Sequence, residues 1–378
     1  MTATAPAAPA KVYFTNLRTH ARESQLDKLK RLIRRAGIEQ IDFENKFVAI
    51  KIHFGELGNL SFLRPNYARA VADVVKELGG KPFLTDCNTL YVGGRKNALD
   101  HLDSAYENGF NPFQTGVHSI IADGIKGTDE VLVPVSGGEY VKEAKIGHAV
   151  MDADIIISLS HFKGHENAGF GGALKNLGMG GGSCAGKMEM HSNEKPTVDQ
   201  SLCVGCGACQ KICAHSAPVI ENKKCTIDHS RCVGCGRCVD ICPKDAIQSS
   251  FDAKSEILNA KIAEYTKAVV DGRPNFHISL VVDVSPNCDC RPENDAPIVP
   301  DVGMFASFDP VALDVACADA VNRQPVLPHS QLGETAHCDH DDHDHFHAVH
   351  PDTDWHSGIV HAVKLGLGNE QYELITVK

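Results

Sequence analysis

The 378-residue chain has no apolar run of the roughly 18–20 residues that a bilayer span needs, so nothing in it reads as a membrane span. It has no excess of basic charge. With 37 Lys and Arg against 48 Asp and Glu, the net charge is −11, which argues against nucleic acid or another polyanion as partner. The opening MTATAPAAPA lacks the charged region and apolar core of a secretion signal, and 1–10 reads as a disordered tail. No flavin or nicotinamide fingerprint is recognisable. Cysteine, by contrast, is plentiful. Eight of the fifteen cysteines fall in two regularly spaced runs, a usage that points to a reducing cytoplasm and not to secreted disulfides.

The rest of the composition, 43% hydrophobic and 22% charged, is that of an ordinary globular protein. The length allows one large α/β core plus a smaller unit. Over 11–195, strand-like segments alternate with helix-like ones. KVYFTNL, KFVAIKIHF, KPFLTDC and ADIIISLSHFKGH read as strands, and a helix ending at Gly37, another opening at Pro65 and a third over GRKNALDHLDSAYENG read as helices. GALKNLGMG reads as a short, glycine-bounded helix. Alternation of this kind predicts a mostly parallel sheet covered by helices. Over 196–249 the pattern gives way to short Cys/Gly-rich turns. From 250 to 378 it resumes, with helices at 253–272 and from Asp309, a strand at FHISLVVDVS and a closing strand YELITV. The expectation is one α/β domain interrupted by a small α+β insert.

SLCVGCGACQKICAHS (201–216) and SRCVGCGRCVDICPKD (230–245) are the same pattern displaced by 29 residues. Each has C-x2-C-x2-C-x3-C spacing, which wraps three thiolates around one iron–sulfur cube and offers the fourth to a second cube. Glycines between the cysteines allow the positive φ that such wrapping requires. A zinc knuckle would leave the third cysteine of each run unexplained. The segment resembles a bacterial two-cluster [4Fe–4S] ferredoxin. That resemblance implies Cys203, Cys206, Cys209 and Cys242 on one cluster, and Cys232, Cys235, Cys238 and Cys213 on the other. The first run ends Cys–Ala where the pattern has Cys–Pro. Cys225 falls outside the pattern and reads as a buried apolar residue.

HFKGHENAGFGGALKNLGMGGG (161–182) follows a buried strand and opens a helix, the position where open α/β sheets bind ligands. Gly169, Gly171 and Gly172 would let backbone approach a ligand and aim N–H groups at an anion at the helix start. His165 and Lys175 are the candidate catalytic residues, with Asn176 beside them. Asp86 and Asn88, at another strand's end, are candidates for the second wall of the site. Cys288 and Cys290 could form a further metal site or a redox pair. Asp309 reads as a helix N-cap. The stretch HCDHDDHDHFHAVH (337–350) could bind metal through imidazole and carboxylate.

Two family resemblances bear on this. KFVAIKIHFGELGN, FLTDCNTLYVGGRKN, SHFKGHENAGFGGALKNLGMG, the two cysteine runs and SPNCDCRPENDAPIVPDVGMFASFDPVALDVA together resemble an uncharacterised iron–sulfur centre family, domain of unknown function 362. It implies the fold and the clusters and supplies no settled reaction. HENAGFGGALKN (165–176) is similar to a stretch of the nickel-pincer lactate racemases. There the histidine is an acid/base and the lysine anchors the cofactor. His191, sixteen residues beyond Lys175, matches that family's nickel histidine, but Gly171 replaces its serine and LTDCNTL lacks its second histidine.

The function expected is an iron–sulfur oxidoreductase. Two [4Fe–4S] clusters would pass electrons from a redox partner protein to a small anionic ligand near 164–182, with His165 or Lys175 supplying the proton. Whether an organic cofactor is also bound stays open. An electron carrier that only docks a partner, and a racemase-like enzyme with structural or sensing clusters, are the alternatives.

Overall fold

The computed structural model describes residues 8–91, 93–191, 195–213, 215–232, 234, 236–248, 253–335 and 344–378. The readings of residues 1–7, of Cys235 and of 337–343 within the histidine-rich stretch fall outside them.

Eight strands form one sheet: β1 (Ala10–Asn16), β2 (Phe47–Lys51), β3 (Lys81–Asp86), β4 (Ser119–Ile121), β5 (Ile155–His161), β6 (Asn275–Val281), β7 (Gly303–Ser307) and β8 (Tyr372–Thr376). Their spatial order is β8-β1-β7-β6-β5-β2-β3-β4. From β6 to β4 every pairing is parallel, as is β8 with β1; only β7 runs against its neighbours. The sheet is therefore mixed but mostly parallel, an α/β fold as the alternation predicts. Strands from before and after the cysteine-rich segment lie side by side, β6 pairing with β5 in register Phe276 to Ile157.

β5 is buried at every position, as a strand in the middle of a covered parallel sheet must be. Ile155, Ile157 and Leu159 pack with helices α1 (Gln25–Arg35), α2 (Pro65–Glu77) and α3 (Ala98–Glu107). Ile156 turns the other way, toward α4 (Ala173–Gly181) and α6 (Ser255–Val270). Each such side chain contributes about 1.5–3 kcal/mol by leaving water. Local signals set the helix ends. Ser24 and Asp27 close a capping box on α1, and Gly37 lies just beyond it at φ 92°. Pro65 opens α2. Asp309 caps α7 (Pro310–Asn322) by accepting from the N–H groups of Val311 and Ala312 at 2.9 Å. α5 (Cys184–His191) follows α4, and α8 (Trp355–Lys364) packs across α6.

The 29-residue repeat of the sequence is also a repeat of structure. Short helices begin at Ala208 and Arg237, and Gly205, Gly207, Gly234 and Gly236 all adopt positive φ, as the tight wrapping requires. The ribbon Thr197–Val198 with Ile247–Gln248 pairs the two ends of this segment. Lys96 ties this unit to the sheet domain through Asp245, Nζ to Oδ1 at 2.6 Å, and Gly236 lies against Met188 and Leu90.

Candidate functional site

The carboxyl ends of β2, β3 and β5 converge on a small cavity of about 50 Å³. Lys51, the last residue of β2, is fully buried there. Its Nζ lies 2.9 Å from Asp86 Oδ1 at the end of β3 and 3.0 Å from Asn176 Oδ1 on α4. Burial alone would raise the Asp86 pKa; Lys51 foremost, with the other cations around it, holds it well below the usual carboxylate range. Arg95, also buried, donates from Nε to Glu56 Oε2 at 2.9 Å, and its Nη1 lies 3.0 Å from His53 Nε2. Burial and that guanidinium push the His53 pKa down to about 3, so its ring is neutral. Among the described residues Lys51, Arg95, Lys163, Lys175 and Lys187 line this cavity, with Asp86 the one carboxylate. A space so lined favours the charged end of a small anion.

The loop from β6 to β7 crosses the same edge. Its Asp289 is fully buried, bound to His161 Nδ1 at 2.9 Å and 3.6 Å from Lys163 Nζ. Cys288 lies beside it, its Sγ 3.6 Å from Lys175 Nζ. A hydrogen bond from the Cys290 thiol, with Lys175 and Lys163 nearby, holds the Cys288 pKa below the ordinary thiol value; the same bond pushes Cys290 up. His165, Cys288 and Cys290 bring donor atoms within 4.8 Å of one another, a set that could hold a metal ion. His165 Nδ1, however, accepts the backbone N–H groups of Asn167 and Ala168, each at 3.1 Å, which leaves the ring proton on Nε2.

A larger cleft of about 620 Å³ opens outward from this point. His165, Lys175, His191 and Cys290 lie on one wall, and Val239, Asp245, Ile247 and Gln248 of the cysteine-rich unit on the other. Tyr91, Lys175, Met179 and Cys290 line both the cleft and the inner cavity. This is a volume suited to a small organic ligand.

Several candidate residues serve differently from their reading in the sequence. The glycine stretch is not a bare loop: Lys163–His165 and Gly169–Gly171 pair as an antiparallel ribbon. The acceptor at the start of α4 is the protein's own. Asp314 accepts from Ala173 N at 2.6 Å and Leu174 N at 2.9 Å, so those amides are not open to a ligand. Gly172 is required there, since a Cβ would meet Asp314 Oδ1 at 2.3 Å. Gly169, at φ 84°, packs under Trp355, and Gly171 faces the Lys163 ammonium. Asn176 lies in the cavity wall with its amide engaged by Lys51 and β5, so it positions Lys51. Asn88 lines neither cavity; its side chain donates to Asp123 Oδ1 and the Gly124 carbonyl, both at 2.9 Å. Burial and the Lys175 charge push the His165 pKa down, so its imidazolium is not the proton source near neutral pH that its ordinary value suggests.

Two apolar cavities in the cysteine-rich unit sort its thiols. Cys203, Cys206, Cys209 and Cys242 line one, with Cys225 beside them; Cys213, Cys232 and Cys238 line the other. These are the groupings that the ferredoxin resemblance implies, Cys235 lying outside the described residues. N–H groups already face sulfur, from Cys225 to Cys203 at 3.3 Å and from Gly234 to Cys232 at 3.4 Å. The seven described cysteines of the two runs thus fall into a set of four and a set of three, thiols that could serve as metal ligands.

No helix among the described residues is long and apolar enough to cross a membrane. A thylakoid-associated protein of Synechocystis sp. is 28% identical over 126 residues, 32% of this chain and 33% of that protein, so the match spans about a third of the relative's length. The lactate racemase apoprotein from Thermoanaerobacterium thermosaccharolyticum superposes with a TM-score of 0.38 at 11% identity, over 72% of this chain and 51% of that one. A crystal structure of a Thermotoga maritima protein gives 0.37 at 12% identity, over 78% and 57%. The chain spans little more than half of either, and likenesses this distant add nothing to the reading of the site. The family model described as domain of unknown function (DUF362) matches residues 48–319, most of the chain, and the protein belongs to that family.

Proposed function

We propose that the protein is an iron–sulfur oxidoreductase whose cysteine-rich unit supplies electrons to a small anionic ligand in the 620 Å³ cleft. Cys203, Cys206, Cys209 and Cys242 would hold one [4Fe–4S] cluster, and Cys213, Cys232, Cys235 and Cys238 the other. When bound, each cluster supplies one reversible electron at a time. The observation that carries the reading is the cleft itself, with Val239 and Ile247 of the cysteine-rich unit facing Lys175, His165 and Cys290 of the sheet domain. Lys175, which reaches both the cleft and the inner cavity, anchors the ligand's anionic group by charge. His165 presents its Nε2 N–H as a hydrogen-bond donor. Cys206 is exposed, and that face of the unit is where a partner protein would exchange electrons. That face also gives the carrier reading its support. A reducing compartment such as the cytoplasm suits both.

The test pairs two measurements on anaerobically purified full-length protein. Dithionite-reduced parent and Lys175→Ala are mixed with a panel of small carboxylates bearing a reducible carbonyl or alkene, and re-oxidation is followed by absorbance. The expected result is an acceptor that re-oxidises the parent at least tenfold faster than the variant, at equal iron and sulfide content. Equal rates with every acceptor would leave the cleft without a role, and the protein would be a carrier.

A further inference from the structure

Cys288 and Cys290 are the first and third residues of a tight turn, closed by Arg291 N–H to the Cys288 carbonyl at 3.1 Å. Two residues so placed are at most about 7 Å apart even in an extended chain. A turn brings their Cα atoms into the roughly 4.4–6.8 Å range that a disulfide spans. The turn is anchored from inside, because Asp289 between them is held by His161 and Lys163. Cys290 lines the cleft and the inner cavity, while Cys288 is buried behind it. Donors surround the Cys288 sulfur: the Lys175 ammonium at 3.6 Å and the His165 ring, whose proton lies on Nε2.

That polarity decides between two uses of the cluster. A metal ion would need the His165 Nε2 lone pair, and so a ring proton on Nδ1, where two backbone N–H groups already point. Thiol chemistry needs the ring as it stands, since an N–H and an ammonium both favour sulfur carrying negative charge.

We infer that Cys288 and Cys290 form a reversible dithiol–disulfide pair that reduces small disulfides entering the cleft. Cys290 sulfur attacks one sulfur of the incoming disulfide, its proton passing to Cys288. The substrate S–S bond breaks, a Cys290–substrate bond forms, and one thiolate leaves. Cys288 then attacks Cys290 sulfur, forming the Cys288–Cys290 bond and expelling the second thiolate. The two cysteines lose two electrons and the substrate gains two; their protons and solvent leave the products as thiols. The half-reaction needs no electron from elsewhere, so it stands apart from the cluster reading, and an external dithiol resets the pair.

The experiment uses the full chain, purified anaerobically and pre-reduced with a dithiol that is then removed. Oxidised glutathione is added in equimolar amount, the mixture is quenched in acid and alkylated, and the peptide carrying both cysteines is weighed. The expected result is a peptide lighter by two hydrogens that takes no alkyl group, with two thiols released per chain. Cys288→Ser should stop at the glutathione adduct on Cys290, a trapped species that a merely structural turn would not give. Should that variant fail to fold, the parent peptide alone decides. A parent peptide that stays fully alkylatable overturns the inference. So does a zinc-edge absorption spectrum showing both sulfurs of the parent bound to a metal ion.

Discussion

Lys51 and Asp86, at the ends of adjacent parallel strands, form a buried ion pair at 2.9 Å under the floor of the site, with Asn176 Oδ1 as the lysine's second acceptor. Such a pair adds little relative to a well-packed apolar one, but removing one partner strands the other charge. Lys51→Met should therefore lower stability by about 3–5 kcal/mol, read as a fall in the urea midpoint. Adding Asp86→Asn to it should recover part of that loss. A single variant as stable as the parent would mean that Asp86 is neutral in the folded protein.

Gly178 tests how closely α4 must approach α6. Replacing a mid-helix glycine with alanine ordinarily gains about 1 kcal/mol. Here a Cβ would come within 2.2 Å of the Ile262 carbonyl oxygen, and backbone cannot yield as a side chain can. Gly178→Ala should be net destabilising, by about 1–3 kcal/mol. Gly181→Ala meets only Val269 Cγ2, at 3.2 Å, and should cost distinctly less. Thermal unfolding of the two variants makes the comparison.

Asp314, which caps α4 from α7, sets a pH dependence. Burial pushes its pKa up to about 7, against backbone N–H bonds that pull it down. The unfolded carboxyl titrates near 3.9. A raised pKa means that the folded state holds the proton more tightly, so this group's contribution falls as pH rises from about 4 to about 7 and is level outside that window. Asp314→Asn should flatten that part of the stability profile. An unchanged slope in urea titrations at pH 4, 5, 6 and 7 would assign the dependence to another group, such as Asp123, which burial also pushes up to about 7.

Strand and helix placement was legible because local signals agree with the global fold. IIISLS is too apolar for anything but a covered strand, and Gly37, Pro65 and Asp309 mark the ends of their helices. The two cysteine runs were legible because they repeat at a fixed spacing; the grouping of their thiols came from the ferredoxin resemblance. Of the cations of the inner cavity Lys175 was read and Lys51, Arg95, Lys163 and Lys187 were not, because only the fold brings those segments together. A trace existed: Lys51 ends an otherwise apolar strand, FVAIK, and Asp314 interrupts the apolar run PVALDVA. A lone charge at such a position must find a buried partner. Which partner is a tertiary fact. The same holds for the N–H groups opening α4, whose distance from Asp314 in sequence, about 140 residues, hid that their acceptor was already supplied.

The central claim, that the cysteine-rich unit carries redox clusters beside the cleft, is tested most directly by iron and acid-labile sulfide analysis of anaerobically purified protein, with electron paramagnetic resonance after reduction. Eight thiolates in two groups of four predict roughly eight iron and eight sulfide per chain and signals of two interacting [4Fe–4S] clusters. Stoichiometric zinc with no labile sulfide would contradict the account.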